Sequence, residues 1–370
     1  MKITEENLNT IESTVAWIFI VKVCSSELLS YHESDTPRGR AILLYNIYKG
    51  DTDYNADTVE SIYNCFLCGC CWSWCEGRDE GGYDIPGLIK YARKDIVSRG
   101  KAPMAAEKIR ESLVEKDNPY DTGKKNSFSS TVDEKTVDTL YYMGPEINFK
   151  NHEIAEAAIK IFNKLKINYT FLKDELPSGK ILELLGYHND AVKKAEKLYK
   201  RIKDTECSTV VVSDPLAYDA FRNDYPEWGF KFTPNIKVLH ISEYLADFIK
   251  AGKLKLNKTK DIVTLADSEY LGRFNEVFDS PREIIKSSAN SNFVEMRWNR
   301  EKLLATGEAA FIFNNEMFVS GKKLGEKICT MAKDVNAKKI VTLSATAKNN
   351  IMKCPDVGAI DIAEFVAELI

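Results

Sequence analysis

The sequence predicts a helical region over residues 1–114, a polar linker over 115–137, and an α/β region built of two homologous half-domains, 138–255 and 256–370. Three observations carry this reading. The apolar periodicity of the first stretch is helical. After the linker, short β-branched or aromatic runs alternate with amphipathic helical ones. The α/β region also repeats internally: His240-Ile-Ser-Glu-Tyr-Leu-Ala-Asp-Phe-Ile249 is echoed by Asp361-Ile-Ala-Glu-Phe-Val-Ala-Glu-Leu-Ile370.

In chain order, the cysteine-rich segment from Cys65 to Cys75 occupies a loop ahead of a helix at Ile85-Pro-Gly-Leu-Ile-Lys-Tyr-Ala-Arg93. Asn118-Pro119, Gly123-Lys-Lys-Asn126 and Ser127 to Ser130 mark the linker. Strands are expected at Leu140-Tyr-Tyr-Met143, Thr209-Val-Val-Val212, Lys237-Val-Leu-His240, Ile262-Val-Thr-Leu265, Phe293-Val-Glu-Met296 and Lys339-Ile-Val-Thr342, with a helix from Glu153 to Lys164. Each echo of the repeat follows a strand-plus-polar-loop unit, Val212-Ser-Asp-Pro-Leu-Ala217 in one case and Thr342-Leu-Ser-Ala-Thr-Ala347 in the other.

Composition narrows the function. With 51 Lys+Arg against 55 Asp+Glu, the formal net charge is −4; no basic stripe dominates, which argues against a nucleic-acid partner. The apolar run Val15 to Val21 is far shorter than the roughly 20 residues that span a bilayer. Acidic Glu5, Glu6 and Glu12 precede it, unlike the basic start of a signal peptide. A cytoplasmic protein without a span of its own is expected, with any membrane association made through a partner. Five of the nine cysteines fall between Cys65 and Cys75, a clustering that favours metal binding over disulfides.

Cys65, Cys68, Cys71 and Cys75 form C-x2-C-x2-C-x3-C, the spacing that wraps a [4Fe–4S] cube. In two-cluster ferredoxins the fourth cysteine of such a run ligates the other cluster. Structural zinc usually joins two separated pairs, a layout this run lacks; buried structural thiols are the other alternative. Cys70 reads as an inert thiol beside the cluster, and Trp72 and Trp74 as its shield from water. His32, His152, His188 and His240 are scattered without metal-ligand spacing. There is no nucleophile elbow, phosphate loop or dinucleotide fingerprint.

Thr36-Pro-Arg-Gly-Arg40, Tyr63-Asn-Cys-Phe-Leu-Cys-Gly69, Asp84-Ile-Pro-Gly-Leu-Ile89, Asn118-Pro119, Tyr270-Leu-Gly-Arg273, Ser280-Pro-Arg282 and Asn299-Arg300 together resemble the heterodisulfide reductase D-type family. That family includes the iron–sulfur subunits of anaerobic glycerol-3-phosphate, lactate and glycolate dehydrogenases. The resemblance runs from about residue 13 to the C-terminus. It implies an α-helical two-cluster ferredoxin domain joined to paired cysteine-rich half-domains.

The departures are informative. The family's first cysteine run falls here on Thr14, Trp17, Ile20 and Cys24. By the crossover rule Cys24 completes a cluster with Cys65, Cys68 and Cys71, with Cys75 the fallback fourth ligand. The second cube, left with Cys75 alone, is lost. In the half-domains, Pro177-Ser178-Gly179, Asp214-Pro-Leu-Ala217, Ala305-Thr306-Gly307 and Ser344-Ala-Thr-Ala347 replace cysteine motifs, and Pro145 and Glu269 replace single cysteines. Both halves are therefore expected to be metal-free, and Arg273, Arg282 and Arg300 are read as structural.

The resemblance implies one [4Fe–4S] cluster for electron transfer or structure, in a hetero-oligomeric oxidoreductase subunit that is not catalytic alone. Its partners would be a flavoprotein dehydrogenase, an intact heterodisulfide reductase-like paralogue or a membrane cytochrome. The alternative is a scaffold or redox-sensing regulatory subunit with a structural cluster. A third reading makes the half-domains a small-molecule site using Asp214, Glu269 and Ser344.

Overall fold

The computed structural model describes residues 24–75, 84–120, 137–232, 234, 236–318, 320–352 and 354–370. Thr14, Trp17 and Ile20 lie outside these residues, as do 121–136 of the linker. The helix Met104–Lys116 runs past the expected boundary at 114.

Local chemistry sets the helices of the first region. Thr36 caps Pro37–Lys49: its hydroxyl accepts from the Gly39 amide at 2.9 Å, and Pro37 stands where the helix has no use for an N–H. A Cβ on Gly39 would meet the Glu33 carbonyl oxygen at 2.1 Å, so only glycine permits this approach. Asn55 and Thr58 form a reciprocal capping box on Ala56–Tyr63. Asp84 caps Ile85–Ser98 through the Gly87 amide. Their apolar faces meet in a core that includes Leu44, Ile62, Ile89, Ile96 and Ile109.

The α/β region contains two parallel sheets. β1 (Thr139–Tyr142), β2 (Tyr169–Thr170), β3 (Thr209–Val212) and β4 (Lys237–His240) order as β2-β1-β3-β4; β5 (Val263–Ala266), β8 (Lys339–Thr342) and β9 (Gly358–Asp361) order as β5-β8-β9. Between β5 and β8 in sequence lies the antiparallel hairpin β6 (Ile312–Phe313) and β7 (Glu316–Met317). Strands β1, β3, β5 and β8 are almost wholly buried, as parallel strands covered on both faces must be. One apolar cluster, including Val211, Leu245, Leu265, Val341 and Phe365, spans both sheets.

The repeated sequence forms two equivalent helix starts. His240 and Glu243 make a capping box on Ile241–Lys250, and Asp361 and Glu364 make one on Ile362–Leu369. Two expectations need correction. The stretch 293–296 is not a strand but touches β5 through a single bridge, Phe293 to Val263. Asn290, with φ of 44°, turns the chain just before it, and Glu295 is drawn to Arg282 at 2.7 Å, so no ladder propagates. Conversely, β9 was missed because Gly-Ala-Ile-Asp is too short to show alternation.

Candidate metal centre

The cysteine loop follows Ala56–Tyr63 and turns through two left-handed residues, Leu67 at φ 49° and Gly69 at φ 69°. A Cβ on Gly69 would stand 2.9 Å from the Phe274 ring, so the tight turn and the close approach both demand glycine. This path gathers thiols. Cys71 has Cys68, Cys65, Cys24 and Cys70 as charge neighbours. Cys24 arrives from the turn preceding the helix Glu27–Ser30, its sulfur 3.2 Å from the Ser26 hydroxyl and 3.3 Å from the Asp35 carbonyl. The Leu67 amide donates to the Cys65 sulfur at 3.4 Å.

Three buried guanidiniums wall this group. Arg40 reaches the Cys24 sulfur at 3.9 Å and the carbonyls of Asp35 and Ser61, and pairs with the Asp35 carboxylate at 3.3 Å. Arg93 donates to the carbonyls of Cys65 (2.6 Å), Tyr63 (3.1 Å), Ile62 (3.2 Å) and Leu184 (2.7 Å). Arg273 donates to the carbonyls of Cys68 (2.8 Å), Glu301 (2.9 Å) and Leu303. None of the three exposes more than 3% of its surface. Burying such charges is costly unless negative charge is supplied nearby; Arg40 faces the Cys65 and Cys24 sulfurs and the Asp35 carboxylate, and Arg273 faces Cys70, Cys68, the Glu269 carboxylate and Cys71. Arg273 is therefore tied to the cysteine loop as well as to its own region. Arg282 and Arg300 do serve local structure: Arg282 is bidentate to Asp267 at 2.7 and 2.9 Å, and Arg300 pairs with Asp279 at 2.7 Å.

Cys70 and Cys75 border this group, packed against Cys68 and Cys71. The Cys70 thiol points to the Leu303 carbonyl at 3.8 Å. Cys75 is buried with Cys70 against Trp74. Trp72 stacks on Phe274 and Trp74 meets the edge of Trp298. Cys329 and Cys354 form a disulfide that clustering in the sequence argued against.

Burial pushes the thiols of Cys68, Cys70 and Cys71 up, and their mutual proximity adds to it. Thiols in this state need a positive centre to become thiolate ligands. Among the described residues no three His, Cys, Asp or Glu are spaced to hold a single metal ion. A cube of four irons spreads its ligands more widely than one ion with bonds of about 2.3 Å. The donor set, four cysteines lacking a histidine or carboxylate, suits iron–sulfur chemistry.

In the α/β region the polar replacements are absorbed differently from one another. Glu269 accepts from the Thr306 amide (2.9 Å) and hydroxyl (2.7 Å) and from the amides of Gly307 (3.1 Å) and Glu308 (2.9 Å). Ser344 caps Ala345–Ile351 through the Ala347 amide. Asp214 caps Pro215–Asp219 through the Leu216 amide at 3.0 Å and lines a cavity. Glu175, which sequence reading passed over, accepts from the amides of Met143 and Gly144 at 2.8 Å each. His240 is a buried cap whose pKa is lowered to about 3 by burial.

Burial, with Glu146 adding to it, pushes Asp214 up to about 7 from 3.8. The folded chain thus holds this proton more tightly than the unfolded chain, so the stabilising contribution is complete below about pH 4 and is lost as pH rises through 7, at up to ~1.4 kcal/mol per pH unit. Asp214→Asn keeps the capping oxygen and removes the titration. Its melting temperature should match that of the wild type below pH 4 and exceed it increasingly from pH 5 to pH 8; parallel pH profiles would count against this assignment.

No protein-family model matches the chain. It is distantly homologous to the probable iron-sulfur-binding oxidoreductase FadF of Bacillus subtilis, with 29% identity over 280 residues, covering 69% of this chain and 39% of that protein. It is 30% identical over 247 residues to the D-type subunit of the dihydromethanophenazine:CoB–CoM heterodisulfide reductase of Methanosarcina acetivorans, covering 64% and 59% respectively. Similarity to the EtfAB:quinone oxidoreductase of Syntrophomonas wolfei is 25% over 266 residues, 67% of this chain and 36% of that one. The chain thus spans 36% to 59% of the length of these relatives. A crystal structure of a hypothetical protein from Helicobacter pylori shares the fold, with a TM-score of 0.62 at 9% identity over 99% of this chain and 73% of that one. Among the described residues no helix is long and apolar enough to cross a membrane.

Proposed function

We propose that this chain is an iron–sulfur subunit of a heterodisulfide reductase-like oxidoreductase complex, holding one [4Fe–4S] cluster on Cys24, Cys65, Cys68 and Cys71. The observation that carries the reading is the gathering of these four thiols beneath buried Arg40, Arg93 and Arg273. The bound cluster would supply reversible one-electron transfer. Around it, the guanidiniums offset the negative charge of the thiolates, and the Leu67 amide lowers the charge on the Cys65 sulfur; both favour a more easily reduced centre. Trp72 and Phe274 cover one approach from solvent.

The rest of the reading assigns residues 1–114 to the cluster-bearing domain and 138–255 and 256–370 to half-domains that have lost their metals. The paired capping boxes and the polar side chains at Asp214, Glu269 and Ser344 support that part. The partner is a flavoprotein dehydrogenase, an intact paralogue or a membrane cytochrome, in line with the relatives named as an oxidoreductase and as part of a reductase.

Iron and sulfide quantitation with EPR on anaerobically purified protein is the test. About four irons per chain are expected. About eight would sink the single-cluster reading, and none would sink the cluster altogether. Cys24→Ser should lower iron content or yield a three-iron signal, whereas Cys75→Ser should leave both unchanged.

One observation favours a structural use of the same cluster. The cysteine loop is held by the last part of the chain: Ser73 donates to the Glu301 carbonyl at 2.8 Å, Lys302 to the Ser73 carbonyl at 2.7 Å and Tyr270 to the Leu67 carbonyl at 3.0 Å. A cluster that resists reduction, yet whose removal by chelation melts the helical region, would establish the scaffold role instead.

A further inference from the structure

The bridge between Cys329 and Cys354 ties together two helices of the last part of the chain. Cys329 lies within the helix Ser320–Asp334, and Cys354 follows the helix Ala345–Ile351. The loop it closes, with a sequence separation of 25, holds all of β8 and all of Ala345–Ile351. β8 is the middle strand of its sheet. The two helices approach closely: a Cβ on Gly321 would meet the Asn350 side chain at 2.5 Å, and one on Gly325 would collide with the Asn350 carbonyl.

Behind the bridge lies a small apolar cluster, with Ile328, Ala332, Ile340, Ile351 and Val357 among its members, apart from the large one that spans both sheets. A small core buries little surface, so a covalent staple that restricts the unfolded chain carries a large share of its stability. The helix Ala345–Ile351 also reaches the segment that follows β1. Lys348 donates to Glu153 at 2.9 Å, and Asn349 donates to Glu146 and Asn151 at 2.7 Å each. What the bridge fastens is therefore a helix that joins the two sheet-bearing parts.

Its two sulfurs are unequal. Cys329 is 5% exposed, whereas Cys354 is partly exposed beside solvent-facing Met352, Pro355 and Asp356. An attacking thiolate needs access to one sulfur, and the outer one offers it. The inner sulfur has an acceptor waiting: the Ile351 carbonyl lies 3.6 Å from the Cys329 Sγ. A released Cys329 thiol would thus be hydrogen-bonded and not a buried orphan.

We infer that Cys329–Cys354 is an exchangeable disulfide, a site at which a dithiol reductant controls how firmly Ala345–Ile351 is held. A thiolate of the reductant attacks the Cys354 Sγ; the S–S bond breaks with its electron pair on the Cys329 Sγ, which takes a proton. The second thiol of the reductant then displaces Cys354 from the mixed disulfide. Two electrons and two protons pass to the protein, and the reductant leaves as its own disulfide. Oxidised glutathione reverses the exchange by the same route, leaving as two thiols. The site uses none of the candidate cluster ligands, so its test stands apart from that of the cluster.

The test is differential alkylation of the full chain, read by peptide mass spectrometry, with amide hydrogen exchange alongside. Without reductant, Cys329 and Cys354 should resist iodoacetamide. After millimolar dithiothreitol, with no denaturant, both should label and amide exchange over residues 339–351 should rise about tenfold or more while β1 and β3 keep their protection. Oxidised glutathione should reverse both changes. Labelling before reduction, labelling only once denaturant is added, or labelling with unchanged exchange would each overturn the inference. A chain carrying both Cys329→Ser and Cys354→Ser should exchange like the reduced wild type and ignore the reductant; protection equal to that of the oxidised wild type overturns it equally. Should that variant fail to fold, the wild-type comparison decides alone.

Discussion

Arg273→Leu is expected to destabilise the protein by about 3–5 kcal/mol and to strip most of the iron from the purified chain. Arg273 is 3% exposed and donates to the carbonyls of Cys68, Glu301 and Leu303. Truncation leaves three carbonyls facing an apolar side chain, each costing about 1–3 kcal/mol where water cannot reach it. It also removes the positive charge nearest Cys68 and Cys70, so thiolates there lose their offset. Arg273→Lys keeps the charge but lacks the fork that serves several acceptors at once, and should fall between wild type and leucine. The measurements are urea midpoints and iron per chain; a leucine variant within about 1 kcal/mol of wild type and fully loaded with iron would refute the clamp.

The second large effect is expected at Lys180. Its ammonium, 2% exposed as a residue, lies 2.5 Å from both the Asp219 and Asp224 carboxylates. The two aspartates hold it above its ordinary lysine value despite burial. Lys180→Met strands two carboxylates without their cation, which should cost about 3–5 kcal/mol. Replacing Asp219 and Asp224 by asparagine in the same chain should restore most of the loss, because the penalty comes from unpaired charge and not from missing volume. A loss below about 1 kcal/mol, the size of an exposed pair, or a triple variant no better than the single one, would show that the pair is not the source. Lys180 and Asp219 also line a cavity of about 290 Å³ with Leu67 and Trp72 of the cysteine loop, so the single variant should release iron faster under chelator.

What could be read from the sequence was local. The repeated stretches opening at His240 and Asp361, the helix after Asp84 and the strands β1, β3, β4, β5 and β8 follow from short local patterns and β-branched runs. Cys65, Cys68 and Cys71 stand out because the ligands of a cubane come from one turn of chain. Cys24 entered through resemblance alone, and the structure places it beside the other three. The guanidinium wall was not legible. Arg40, Arg93 and Arg273 bind mainly backbone carbonyls, which carry no sequence signal, and Arg273 reaches Cys68 across 205 residues. Glu175 and Glu308 were missed because an acidic residue in a string of letters looks solvated; only the fold buries them. The polar replacements Asp214, Glu269 and Ser344 were noticed, yet their separate fates depend on which amides each finds.

The clamp on the cysteine loop also sets an order of events during synthesis. All four candidate cluster ligands have left the ribosome once Cys71 has, but Tyr270, Arg273, Glu301 and Leu303, which close over them, are made some two hundred residues later. Until those residues fold onto the loop the thiols lack this clamp, so with the cluster proposed above the early chain would be the form most open to iron.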